Sequence, residues 1–309
     1  MVDPIDSTDL MLPQLQPCHV WKFRDICGPQ KEYFLYPSSP CDTYQCAVVF
    51  FPKAKEKALW LFRQLSQILA DNTLLYIVGD NKSGIKTLPK FASGVLTNIQ
   101  KLASGKHCIL YQAVTQKEDY SEALKEEYVE YQVGNKPITV ASMPGVFSHR
   151  ELDHGTRLLL THLPDNIEGE VLDFACGCGV IGSYIKKYYE NVNNITLTDI
   201  DAIAVEASKM TLKCNELVGH VVLSDGLKKI SSKYRWIFSN PPFHTGLKID
   251  YHITEAFIKR CKEVLQPGGC LYLVANRFLK YPHILQNHFD LIEVVVEDNK
   301  FKVYCAYNR

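Results

Sequence analysis

The chain has 309 residues, longer than one ordinary core and suited to two domains of roughly 150 residues each. It is 46% hydrophobic and 22% charged, a globular composition without the run of about 18 apolar residues that spans a membrane. Its acidic, Pro-broken start, MVDPIDSTDLMLPQLQP, is unlike a signal or transit peptide, so a cytoplasmic protein is expected. Acids and bases balance at 34 each, and they balance again in each half when the chain is divided at residue 145. Net charge therefore offers no support for a nucleic-acid partner, although a local basic patch is compatible with it. The densest basic stretch, KKISSKYR (228–235), reads as a solvated loop. Eleven cysteines, an odd number scattered over both halves, do not suggest a disulfide framework and read as reduced, mostly buried thiols.

The N-terminal half alternates short elements. CAVVFF (46–51) is a buried-strand pattern, KAKEKALWLFRQLSQILA (53–70) an amphipathic helix and TLLYIVGD (73–80) a second strand ending in a turn. A helix over about 85–103 and the strand KHCILYQAV (106–114) complete a βαβαβ order, which predicts a parallel sheet with helices packed on it. The charge-rich, helix-prone segment TQKEDYSEALKEEYVEY (115–131) reads as a bridge with a solvated face. The Gly and Pro punctuation that follows makes 132–145 the expected linker, between a first domain over 1–131 and a second over 146–309.

From residue 168 the alternation restarts: EVLDFACGCG is a strand opening into a Gly-containing loop, VIGSYIKKYYE a helix, NITLTDID a strand and AIAVEASKMTLKCNEL a helix. HVVLSD and RWIFSN are further strands. YHITEAFIKRCKEVLQPGG is a long helix stopped by Pro267 and Gly268, and CLYLVAN is the next strand. FDLIEVVVED and FKVYCAYNR then form a terminal hairpin. The expected fold class is α/β, with two Rossmann-like, doubly wound domains, the second ending in an antiparallel hairpin.

In open parallel sheets, ligands bind beyond the carboxyl ends of the strands. Asp173 with Gly177 and Gly179, Asp199 with Asp201, Ser224 with Asp225, and Asn240 with its prolines occupy four such ends. Gly177, Gly179 and Gly182 satisfy a dinucleotide-binding spacing with Asp199 beyond it, so a nicotinamide enzyme is one reading. A second carboxylate at Asp173 would crowd a pyrophosphate, and acids at three successive strand ends suit hydroxyls, amines and a sulfonium better. S-adenosylmethionine is therefore the other reading. SNPPFHTG (239–246) is a stiff loop, because two adjacent prolines fix two φ angles and remove two donors. If the Asn240 side-chain oxygen and the Pro241 carbonyl each accept an N–H of a planar amine, they orient a nitrogen whose lone pair is otherwise delocalised. Pro242 would hold the loop rigid and Phe243 would stack on the base. His244 reads as substrate-shaping rather than as a general base. Cys176 and Cys178, a lone Cys-x-Cys, are poor zinc geometry, and no metal is expected.

DFACGCG together with NPPF resembles class I S-adenosylmethionine-dependent methyltransferases acting on planar nitrogens, whether adenine N6, glutamine N5 or guanine N2. MPGVFSHRELDHGTRLLL, SNPPFHTG, VANRFLKYP and FKVYCA resemble the bacterial small-subunit rRNA guanine-N2 methyltransferases of the guanine-1207 type. FFPKAKEKALWLF and LYIVGDNKSGIK resemble the N-terminal domain of that family, so the likeness covers nearly the whole chain. It implies methyl transfer to a guanine N2 in 16S rRNA of the small ribosomal subunit, with a first domain that has lost cofactor binding and serves RNA recognition and stability; a monomer is expected. Cofactor contacts are implied at Asp173, Ala175, Cys176, Gly177, Gly179, Asp199, Ile200, Asp225, Gly226 and Asn240. Catalytic roles fall to Asn240, Pro241, Pro242 and Phe243, and substrate contacts to Phe147 and His244. Phe147, Asp153 and Thr156 lie in what resembles a substrate-side lid, with a plain domain-joining role as the alternative. Ala175 stands where the family usually has Gly. A non-catalytic rRNA-binding homologue remains open at this point.

Overall fold

The computed structural model describes residues 20–24, 33–39, 44–148, 150–241 and 251–309. The chain separates into two compact units, Met1–Glu126 and Glu127–Arg309.

In the first unit, β1 (Val20–Lys22) and β2 (Tyr33–Leu35) form a short parallel pair. β3 (Cys46–Phe50) is followed by α1 (Lys55–Ile68), whose Ala58, Leu61, Phe62 and Leu65 are buried at helical spacing on one face. β4 (Leu74–Asp80), α2 (Leu88–Phe91), β5 (Leu96–Gly105) and β6 (Cys108–Thr115) complete it. The sheet order is β3-β4-β6-β5, with β3 and β4 parallel and the other pairs antiparallel. The expected helix over 85–103 and the expected parallel sheet are thus corrected: four residues of helix at Leu88–Phe91 give way to a ten-residue strand. The cause is a tight turn between β5 and β6, in which Lys106 (φ 48°) and His107 (φ 65°) both adopt left-handed backbone. That geometry matches the twist of a two-residue hairpin, but it is built here from residue types that do not advertise it.

The second unit begins with a hairpin, β7 (Glu127–Val133) and β8 (Lys136–Ser142), turning at Gly134. The expected helix-prone bridge and linker over 132–145 are corrected accordingly. In EYVEYQV the buried residues Tyr131 and Val133 alternate with exposed ones, a strand period within a helix-like composition. Then follow α3 (His154–Thr161), β9 (Gly169–Phe174), α4 (Val180–Tyr188), β10 (Val192–Asp199) and α5 (Ala202–Cys214). After these come β11 (His220–Leu223), β12 (Tyr234–Ser239), α6 (Tyr251–Val264), β13 (Leu265–Asn276), α7 (Tyr281–Gln286), β14 (Leu291–Glu297) and β15 (Phe301–Tyr307). The hairpin is fastened to α5: Ala141 N donates to Thr211 Oγ1 at 2.9 Å and Asn215 Nδ2 to the Thr139 carbonyl at 2.6 Å. α6 ends at Val264, ahead of Pro267, because Leu265 already pairs with Tyr234 of β12.

The seven-stranded sheet has the order β11-β10-β9-β12-β13-β15-β14, parallel except where β15 runs antiparallel to β13 and β14. The order reverses between β9 and β12, the point where such sheets open a crevice. Register aligns the four strand ends there: Phe174 pairs with Thr198 and Ser239, and Asp199 with Leu223. The residues that follow each strand therefore meet at one edge. Cys270 and Cys305 face each other on neighbouring strands, with Cα atoms 6.3 Å apart. Cys176, Cys178 and Cys261 are buried free thiols, whereas Cys46 and Cys214 are exposed. Among the described residues no helix is long and apolar enough to cross a membrane.

Candidate active site

The turn between β9 and α4 is built by the sheet beneath it. Cys176 N donates to the Thr198 carbonyl at 3.1 Å and Gly179 N to the Cys176 carbonyl at 2.8 Å. Gly177 N reaches across to Asp199 Oδ2 at 2.9 Å, and the Ser208 hydroxyl donates to the Gly177 carbonyl at 3.0 Å. Gly179 has φ 77°, and a Cβ there would lie 2.9 Å from both Leu197 Cδ2 and Ser208 Oγ, so only glycine fits. Ala175 also adopts left-handed backbone, φ 56°, at a cost of roughly 1–2 kcal/mol; the turn is kept despite the missing glycine.

Above this turn lies a cavity of ≈ 660 Å³, within the ~300–1,000 Å³ range of small-molecule sites. Ala175, Gly177, Asp199 and Ile200 line it from two strand ends, Asp225 and Gly226 from the third, and Asn240 and Pro241 from the fourth. Phe147 closes the far side, with its backbone oxygen and Cβ 3.5 and 3.6 Å from where a Gly177 Cβ would stand. Three of the expected cofactor residues are buried away from the cavity. Asp173 is 0% and Cys176 6% exposed, and Gly179 is fully packed against β10 and α5. They shape the turn rather than face a ligand. Pro242, Phe243 and His244 lie outside the described residues.

Charge in the site is more mixed than the row of acids suggested. Asp199, Asp201 and Asp225 line the cavity, but so do Lys228, paired with Asp225, and Arg260, whose guanidinium donates to the Ile230 carbonyl at 3.0 Å. Burial pushes the Asp199 carboxyl above its ordinary range, opposed by hydrogen bonds from the Asp201 and Gly177 amides. Burial likewise raises Asp173 to about 7; the Gly182 amide, which donates to its Oδ2 at 2.8 Å, holds it down, and the Asp199 charge adds to the rise. Its other oxygen has no hydrogen-bond partner among the described residues. The Cys178 thiol is pushed up to about 12 and Cys176 well above the usual thiol range, both chiefly by burial. Among the described residues no group of three or more His, Cys, Asp or Glu side chains is placed to hold a metal ion.

The structure brings in residues the sequence only hinted at. Phe174 and Phe257 stack at 4.2 Å between ring centroids as an aromatic floor. Asn240 Nδ2 lies 2.9 Å from Asp153 Oδ2 and 2.9 Å from Thr156 Oγ1. Asp153 is also the N-cap of α3, accepting from Thr156 N at 3.0 Å. The Asp-x-Gly-Thr run ahead of the apolar LLL is a readable capping signal, but its reach to a residue more than eighty positions away is not.

Residues 137–305 match the model of the methyltransferase small domain and residues 19–130 that of its N-terminal domain. Curated relatives include the ribosomal RNA small subunit methyltransferase C of Pseudoalteromonas atlantica, 37% identical over 85% of this chain and 77% of that protein. That of Photorhabdus laumondii is 40% identical over 86% and 76%, and that of Pseudomonas paraeruginosa 37% identical over 96% and 91%. Among solved structures, the T. thermophilus 16S rRNA N2 G1207 methyltransferase, in complex with AdoMet and guanosine, superposes with a TM-score of 0.82 over 97% of this chain and 85% of that one, at 21% identity. This last likeness is one of fold.

Proposed function

The chain belongs to the family of ribosomal RNA small subunit methyltransferase C, and from that membership we propose that it methylates the exocyclic N2 of a guanine, of the guanine-1207 type, in 16S rRNA. The observation that carries the reading is the meeting of Asn240 and Pro241 with the glycine turn and Asp199 at one cavity. A nicotinamide enzyme has no use for the Asn-Pro pair, and the curated relatives are methyltransferases.

The residues present fit S-adenosylmethionine. Each Asp199 oxygen accepts one backbone N–H, from Gly177 and Asp201, and keeps lone-pair capacity for ribose hydroxyls. Ile200, 38% exposed, offers an apolar surface for a base beside Gly226, where a Cβ would meet nothing within 4 Å. When bound, the cofactor supplies a methyl group on a positively charged sulfur.

Asn240 and the Pro241 carbonyl accept the two N–H bonds of the guanine amine and turn its nitrogen toward that methyl group. Held there by Asp199 and the glycine turn, the cofactor would supply the methyl group to N2 and leave as the neutral thioether, while Asn240 and Pro241 would keep the nitrogen aligned and its surplus proton would pass to water. Because N2 takes part in base pairing, the guanine must leave its pair and stack to reach the clamp. The aromatic expected to stack on it is Phe243, with His244 shaping the pocket. Assignment of the first unit to RNA recognition and stability, cytoplasmic location and action as a monomer belong to the same reading.

The test is transfer of labelled methyl to isolated small subunits, naked rRNA and DNA, with Asn240→Ala alongside and the product nucleoside identified. N2-methylguanosine in rRNA, lost in the variant, is the expected result. Label in DNA adenine or in protein would overturn the substrate, and tight cofactor binding without any transfer would favour a non-catalytic RNA-binding homologue.

A further inference from the structure

A carboxamide presents two ends of similar shape, and only one of them can accept from an amine. Which end of Asn240 faces the cavity is decided by α3. The atom 2.9 Å from Asp153 Oδ2 must be the amide nitrogen, because an ionised carboxylate only accepts. The same nitrogen lies 2.9 Å from Thr156 Oγ1, so both of its hydrogens are engaged and Oδ1, which has no donor among the described residues, is the end left to accept. Thr156 is 2% exposed, which leaves no room for water to replace it. Asp153 is fixed in turn: it caps its own helix through Thr156 N. A Cβ at Gly155 would stand 3.1 Å from Asp153 Oδ2 and 3.1 Å from the Phe301 ring, so the glycine lets the backbone, the carboxylate and the ring close up together.

Resting on the guanine-N2 reading above, we infer that Asp153 and Thr156 are positioning residues that act through Asn240. They hold its carboxamide with Oδ1 toward the attacking amine. The Asp153 charge, one carboxamide away, polarises that oxygen where positive charge develops on the nitrogen. Asp153, Gly155 and Thr156 therefore form a single device rather than a helix start alone, and the segment's role is catalytic support rather than domain joining.

The experiment compares kcat and KM of Thr156→Val, Thr156→Ser, Asp153→Asn and Asp153→Ala on small subunits with labelled S-adenosylmethionine, with thermal unfolding as the check on folding. Thr156→Val keeps shape and the backbone N–H but loses the hydroxyl. It is expected to lower kcat about ten- to a hundred-fold, the scale of a misplaced reacting group, with cofactor KM within about two-fold. Thr156→Ser is expected to restore most of the rate, and Asp153→Asn, which keeps an accepting oxygen without the charge, to lose less than Asp153→Ala. In an Asn240→Ala background Thr156→Val should add no further loss, since residues acting through one another are not additive. A kcat within about two-fold of wild type for both Thr156→Val and Asp153→Ala would sink the inference. So would losses confined to cofactor KM, or an equal loss with and without Asn240. If the wild type methylates a different planar nitrogen, the guanine reading fails while the variant ratios still report on positioning.

Discussion

Asp173 offers a test in which sign and size both follow from burial. Its carboxyl is 0% exposed, with one oxygen on the Gly182 amide and the other without a partner among the described residues, and burial raises it to about 7 against about 3.9 in an unfolded chain. With the folded value raised, the folded protein binds more protons than the unfolded one between about pH 4 and pH 7. Stability therefore falls as pH rises through that window and is constant, as far as this group is concerned, on either side. Three units at about 1.4 kcal/mol each set a ceiling of about 4 kcal/mol. Asp173→Asn keeps an oxygen for Gly182 N and carries no charge. It should match the wild type near pH 4 and exceed it progressively, by up to about 4 kcal/mol at pH 8. Urea unfolding at several pH values would measure this through Trp236, which sits on β12 opposite Val171 of β9, in a background with Trp21 and Trp60 changed to Phe. A difference between variant and wild type that is flat from pH 4 to 8, or that turns against the variant as pH rises, would refute the reasoning.

Asp199→Ala strands the Gly177 and Asp201 amides at about 1–3 kcal/mol for each donor left unsatisfied, and calorimetry should show S-adenosylmethionine binding weakened at least about ten-fold. Gly179→Ala forces a left-handed alanine into Leu197 and Ser208; a loss of about 2–5 kcal/mol in denaturant unfolding is expected from backbone strain plus overpacking. Thr211→Val preserves shape but orphans the buried Ala141 amide and should cost about 1–3 kcal/mol, read as earlier exchange of the amide hydrogens of β8.

The second unit was legible because its signals are local and strong. Apolar runs ending in acids or Asn are strands of a parallel sheet, and register then carries Ala175, Ile200, Ser224 and Asn240 to one edge. What failed did so for definite reasons. Val95 just before β5, with Leu96 and Ile99 within it, falls at a spacing that serves a helix or a strand, and the Lys106–His107 turn that decides between them carries no glycine or asparagine. Charge density concealed the two-residue period of β7. Asp173 reads as a ligand contact by its place before the glycine turn, but the strand's pleat points it into the protein, onto Gly182. The bond from Asn240 to Asp153 and Thr156 spans more than eighty residues, and no local pattern encodes it.

The position of β15 has a consequence for the order of assembly. It follows β14 in the chain yet lies between β13 and β14, so β14 has no partner in the sheet until the strand made after it has been inserted. Until then β13, with seven successive residues from Cys270 to Asn276 waiting for β15, presents an open apolar edge of the kind that recruits foreign strands. During synthesis the cofactor crevice can therefore form early, from β9, β10 and β12, while the far side of the same sheet is still open. A chain that stalls or is cut within β15 would hold most of its site and be the form most prone to aggregate.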